Sequence, residues 1–258
     1  KEPVSLSLDG LLDPVGSDLM PQPFDYNRYE FPKNLLNSID CVDGIQQSLF
    51  PTPVFQYELK DTSICKKISN LVKKNISNHE KKWEEQRQIN FHNTLTSDDD
   101  LHLNPDYGCL LKVLNPIIKT TIQVLNISAN EFDILSMWSN ISGKGGYLAS
   151  HCHPNSFLSG VLYLQTPGKN KGKIYFENPV DGRSNWQFDA NDYKASMFQY
   201  RSWEIEPKVG TILFFPSWIR HGTFLGDYDD DEYRMSLSFN IMPKFKCTTN
   251  TMRYNLQE

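Results

Sequence analysis

Ser150-His151-Cys152-His153-Pro154-Asn155 decides the reading of this chain, together with Trp218-Ile219-Arg220-His221 and, beyond it, Arg234-Met235-Ser236. Histidine is scarce, with six in 258 residues, yet two of them stand one residue apart at the end of a β-like run. On an extended segment side chains alternate faces, so the rings of His151 and His153 point to one side and Cys152 to the other. A third histidine, His221, follows another β-like run and reads as lying on a later, neighbouring strand. The three together predict a three-point metal site.

Outward from that stretch the chain reads as β. The segments 132–141, 147–153, 158–165, 173–176, 196–205, 211–215 and 233–242 have strand character. Turn residues separate them, among them Gly143-Lys144-Gly145-Gly146, Pro167-Gly168 and Lys208-Val209-Gly210. About eight short strands at such spacing point to a double-sheet jelly roll or a barrel.

Upstream the period changes. Leu49 to Tyr57 is a short strand entered through Pro51 and Pro53. Ile64, Ile68, Leu71, Val72 and Ile76 recur at helical spacing after a cap at Asp61 or Thr62. The charged tail, Glu80 to Glu85, mixes signs and reads as a solvated face. Asn104-Pro105 reads as an N-cap followed by proline at the first helical position, with Leu110, Leu111, Leu114, Ile117, Ile118 and Leu125 as the apolar face. Two helices ahead of a β-rich remainder predict an α+β, mainly β fold with both helices packed on one sheet. Residues 1–47 carry five prolines and no sustained period, and are expected to form an extended N-terminal arm, with a disordered leader as the alternative. Residues 48–258 are expected to form a single domain.

Composition narrows the partners. A net charge of -5 without an arginine or lysine stripe argues against nucleic acid. No run approaches the roughly 20 apolar residues of a membrane helix. The chain starts at Lys1 without a signal pattern, which has the look of a trimmed or partial N-terminus. Five scattered cysteines, Cys41, Cys65, Cys109, Cys152 and Cys247, favour free thiols and a cytoplasmic location. The Asn-Ile-Ser triplets at Asn75, Asn126 and Asn140 arise easily by chance. Ser97-Asp98-Asp99-Asp100 lacks the spacing of a calcium loop and reads as a plain loop.

Non-haem iron(II) oxygenases need three protein ligands on one face, usually two histidines and a carboxylate, with the remaining positions open. His151 and His221 are the best pair, and His153 stands where such sites usually carry Asp or Glu. Arg234 and Ser236 share a face of one strand, and a guanidinium fork with a hydroxyl beside it suits the distal carboxylate of a dicarboxylic keto acid. Asn140, Tyr147, Ser159 and Tyr163 lie on strands bordering the same cavity. Tyr163 is a candidate partner of the keto acid, or a barrel tyrosine whose hydroxyl bonds elsewhere. Trp138 and Trp218 read as core, His79, His92 and His102 as structural, and the acidic run 227–232 as a solvated hairpin tip.

The chain resembles the 2-oxoglutarate and Fe(II)-dependent oxygenases, in particular a family common in marine bacteria and their phages. The matching elements, in order, are Leu49 to Val54, Asp100-Leu101-His102, Trp138-Ser139-Asn140, His151 to Ser156, Ser159 to Leu164, Phe215-Pro216-Ser217-Trp218 with His221, and Arg234 to Asn240. The resemblance implies a double-stranded β-helix, iron held by His151 and His221, and 2-oxoglutarate anchored by Arg234. It implies a dioxygenase that uses O2 to hydroxylate a small-molecule or peptidyl substrate and releases succinate. The third ligand departs from the family pattern. It is His153, or is missing as in aspartyl β-hydroxylases, or the frame shifts to His153 and Asn155. A three-histidine, cupin-like metalloprotein without 2-oxoglutarate is the alternative. The substrate and the oligomeric state, a homodimer included, stay open, with the loop 168–192 and the arm as the expected seats of specificity.

Overall fold

The computed structural model describes residues 12–14, 29–30, 45–46, 52–86, 91–127, 129–168, 171–180, 202–229 and 231–245. Its strands, in chain order, are β1 (Leu12–Pro14), β2 (Tyr29–Glu30), β3 (Ile45–Gln46), β4 (Phe55–Leu59), β5 (Phe91–Thr96), β6 (Ala129–His151), β7 (Leu158–Gln165), β8 (Ile174–Glu177), β9 (Ser202–Ile205), β10 (Thr211–Pro216), β11 (His221–Thr223) and β12 (Arg234–Phe245). Helix α1 (Ser63–Gln86) stands between β4 and β5, and α2 (Gly108–Val124) between β5 and β6.

Two sheets are joined through one strand. The first half of β6 belongs to the order β1-β4-β10-β7-β12-β6, and its last residues continue into β6-β11-β8-β9, with β5 paired alongside β6. All these pairings are antiparallel, with β7 reached from β12 and β8 from β11. This is the double-stranded β-helix, mainly β with two supporting helices.

The larger sheet is buried on both faces, and strand parity separates them. On β12, Met235, Leu237, Phe239 and Ile241 join the core under the helices, as do Leu162 of β7 and Ile212 and Phe214 of β10. From the helices that core receives Ile68 and Val72 of α1 and Leu110, Leu114, Ile117, Ile118 and Ile122 of α2. The alternate residues Val161, Tyr163, Leu213 and Phe215 turn into the roll, where they meet Ile174, Phe176 and Ile219. An alternating pattern thus fills two compartments, and the polar half of β12 lines the inner one.

The helix starts follow the sequence closely. Asp61 Oδ1 accepts from the Ser63 N–H at 2.8 Å, and Thr62 O accepts from Cys65 N–H, closing the first turn of α1. Asn104 Oδ1 accepts from the Asp106 N–H at 3.0 Å, but the first turn there is a tight 3-10 turn, Pro105–Tyr107, before α2 proper.

Several expectations need correction. The run Gly143 to Gly146 does not separate two strands: β6 runs through it for 23 residues. The glycines bend the strand instead, with Gly145 at φ +72, so one strand can serve both sheets. β5 was not expected as a strand, whereas His221 does stand on a later strand next to β6, the three-residue β11. In the acidic segment Asp227, Asp229 and Asp231 are exposed as expected, but Tyr228 among them is buried and donates to Ser142 O at 3.0 Å. Most of the arm 1–47, the helix-tail side chains 80–85 and the loop 181–192 lie outside the described residues. Cys65, Cys109 and Cys152 are free thiols, and Asn140, within one sequon, is buried. Among the described residues no helix is long and apolar enough to cross a membrane.

Gly160 shows how close the packing is, because a Cβ there would stand 2.2 Å from Phe239 Cε2 and 3.0 Å from Leu213 O. G160A should lower stability by about 1–3 kcal/mol through overpacking. Urea unfolding of the two proteins at one pH measures it.

Candidate metal and keto-acid site

The inner compartment opens into a cavity of about 370 Å3. β11 brings His221 directly opposite His151 of β6, and Phe176 of β8 lies on its other side. The chain then leaves β6, and His153 is placed by its backbone N–H, which donates to Ser217 O at 2.9 Å. The three residues each offer a ring nitrogen, all within 4.8 Å of one another. Among the described residues this is the one such cluster of His, Cys, Asp or Glu, so the aspartates at 98–100 form none.

Backbone contacts orient the rings. His151 Nδ1 donates to Ala149 O at 2.8 Å and His221 Nδ1 to Ile219 O at 3.0 Å, which leaves each Nε2 with its lone pair facing the cluster. His153 Nε2 and His221 Nε2 stand 3.3 Å apart. Two imidazole nitrogens at that distance need a shared proton or a cation. Burial disfavours the protonated rings: His221 is pushed down to about 3 by desolvation, then by His151, and His153 to about 4 by desolvation and His151. His151 is lowered as well, by desolvation and then Arg220. Neutral imidazoles with converging lone pairs fit a borderline divalent metal such as iron(II). Among the described residues no carboxylate joins them.

Arg234 begins β12, 3% exposed. Its guanidinium donates to Gly172 O, to Ser142 Oγ at 3.2 Å and to Thr223 Oγ1 at 3.2 Å. Among the described residues no carboxylate pairs with it. A buried cation without a counter-ion is costly, and an anion in the cavity would offset that cost. Ser236 is buried two residues on, and β7 places Tyr163 opposite it. Burial pushes the Tyr163 hydroxyl up to about 12, against the opposing pull of Arg234, so it is a neutral donor at physiological pH.

The remaining predicted residues divide. Asn140 lines the cavity, but its amide is engaged, accepting from Thr96 Oγ1 and donating to Ser238 Oγ, both at 3.1 Å. Ser159 is buried and bonds Ser217 Oγ and Asn240 Oδ1. Tyr147 and Asn155 lie outside the cavity lining, and Asn155 is exposed. Trp138 is not core: it lines the cavity with its ring 5.7 Å from that of His153, and Trp218 is 57% exposed. His102 lies outside the cluster, its Nδ1 buried without a partner among the described residues. Ser142, Thr223 and Gly172, which hold Arg234, carry no signal in the sequence. Ser238 and Asn240 could have been found from the two-residue period of β12.

In the metal-free protein the depressed histidines give a signed pH effect. The unfolded state takes up protons near pH 6.5 while folded His221 resists them to about 3. Stability is therefore full above pH 6.5 and lost as pH falls. Between pH 7 and pH 5, H221A should lose roughly 1–2 kcal/mol less than the wild type, as chemical denaturation at the two pH values will show.

Comparison with known proteins agrees with this geometry. Residues 136–240 match the family model described as "Putative 2OG-Fe(II) oxygenase". None of the curated proteins matches. Among solved structures, a prolyl-4-hydroxylase from Pseudomonas putida superposes with TM-score 0.52 at 14% identity, covering 75% of this chain and 94% of its own. The non-heme alpha ketoglutarate dependent epimerase SnoN, from nogalamycin biosynthesis, superposes with TM-score 0.51 at 12% identity, covering 74% and 78%. At such identities these two structures speak for the fold. The matched span, residues 136–240, holds the histidine cluster and Arg234, and over it the chain is similar to the 2-oxoglutarate/Fe(II) oxygenases.

Proposed function

We propose that this chain is an Fe(II)- and 2-oxoglutarate-dependent dioxygenase that hydroxylates a small-molecule or peptidyl substrate. The observation that carries the reading is the buried Arg234, without an acidic partner among the described residues, lining the same cavity as three converging histidines. His151, His153 and His221 would hold the metal through Nε2. Arg234 would take the distal carboxylate of the keto acid, with Ser236 and Tyr163 as further hydroxyl donors. Asn140, tied to Thr96 and Ser238, supports the wall beside them.

Iron(II), when bound with the keto acid, supplies O2 activation: one oxygen atom enters the substrate C–H bond, the other enters succinate, and CO2 leaves. The chain's own residues do the rest. The backbone carbonyls of Ala149 and Ile219 keep His151 and His221 in the tautomer that exposes Nε2. Val161, Ile174 and Phe215 supply apolar lining to the cavity and help keep water from the reacting groups. His153 in place of a carboxylate leaves the cluster one negative charge short of the usual ligand set. That same feature favours the second reading, a three-histidine metalloprotein that does not use 2-oxoglutarate.

Two variants separate the readings. R234A should bind 2-oxoglutarate at least tenfold more weakly in anaerobic titrations while iron content per chain stays at the wild-type level. H153A should lose at least tenfold in iron affinity, and H153D should retain it. Wild-type protein that binds iron but shows no 2-oxoglutarate binding would decide for the three-histidine metalloprotein.

A further inference from the structure

The floor of the cavity is longer than one keto acid. On β12 the inward residues run from Arg234 through Ser236 and Ser238 to Asn240, six residues at about 3.3 Å each, or roughly 20 Å. A five-carbon diacid anchored at Arg234 covers only the near part. The far part is built from Ser136 and Trp138 of β6 opposite Asn240 and Ser238 of β12. Asp99 lies beside them, since its carbonyl accepts the Met137 N–H at 2.7 Å.

The hydrogen-bond inventory at that end leaves unused capacity. Asn240 accepts from Ser159 Oγ at 2.8 Å and donates one amide hydrogen to Ser136 Oγ at 3.0 Å, so its second hydrogen is free. Ser136 and Ser238 each accept from a neighbouring amide and keep their own O–H hydrogens. Asp99 is the one carboxylate among the described cavity-lining residues, and no described residue pairs with it. Asp99 is exposed to solvent and lines the same cavity as Trp138, and a carboxylate and an aromatic ring in one lining together suit an ammonium group. Arg234, the other permanent charge in the lining, is taken up at the opposite end.

Resting on the oxygenase reading above, we propose that the substrate is of the amino-acid class: a small molecule with a primary ammonium group beside a hydrogen-bond acceptor. Asp99 and the Trp138 ring receive the ammonium. The hydroxyls of Ser136 and Ser238 and the free Asn240 amide hydrogen receive the neighbouring carbonyl or carboxylate. Trp138 also adjoins His153, so a molecule held there has its carbon chain beside the histidine cluster.

The test is equilibrium dialysis of the full chain, with and without Mn(II) and 2-oxoglutarate, against an equimolar pool of the twenty L-amino acids and, separately, the same pool N-acetylated at the α-nitrogen. One or a few free amino acids should be retained and their acetylated forms should not. D99N should lower that retention at least tenfold and D99E should keep most of it. Retention of no free amino acid in either condition, equal retention of the acetylated pool, or D99N behaving as wild type would overturn the proposal. Retention of 2-oxoglutarate, measured in the same cells and compared with R234A, reports separately on the oxygenase reading. Failure of one is therefore not mistaken for failure of the other.

Discussion

The pairing of His221 with His151 across β11 and β6 is the constraint on which the site depends. β11 is three residues long and held on both sides, by β6 and by β8. The imidazole of His221 is thus set by ladder hydrogen bonds and by its own contact to Ile219 O rather than by a flexible loop. His153, just past the end of β6, is secured by a single backbone bond to Ser217, whose hydroxyl bonds both Ser156 and Ser159. Regular structure positions two of the histidines and a short hydroxyl network positions the third.

Electrostatics follow from that placement. Burial disfavours the protonated rings of the cluster, while the Arg234 guanidinium lines the same cavity. Neutral donors and a fixed cation in one enclosed space call for anionic and metallic partners together. Each interaction made there is stronger for the low dielectric around it.

Much of this was legible in the sequence, for a definite reason. Period 2 on β12 places Arg234 and Ser236 on one face and Met235 and Leu237 on the other, and the i, i+2 spacing aligns His151 with His153. Where legibility failed, the causes are local rules overruled by tertiary structure. Gly143 to Gly146 has the composition of a turn, yet the chain continues as strand because β12 and β5 pair with it up to that point and β5 and β11 beyond it. β11 is too short to leave a periodic trace. Trp138 has the character of a core residue and lines a cavity instead. The groups around Arg234 come from three separate segments, Ser142, Gly172 and Thr223, and nothing at any one of them announces the meeting.

The bend in β6 has a consequence for how the molecule comes into being. Because one strand is shared by both layers, neither layer is a self-sufficient folding unit. The contact from Arg234 to Ser142 spans 92 residues of chain, and closing a loop of that length costs roughly 4 kcal/mol in entropy before any contact compensates it. On a ribosome the site would stay unassembled until β12 emerges, and a chain of such high contact order is expected to fold slowly. The cavity floor is expected to close only when β12, the last strand among the described residues, pairs with β7 and β6.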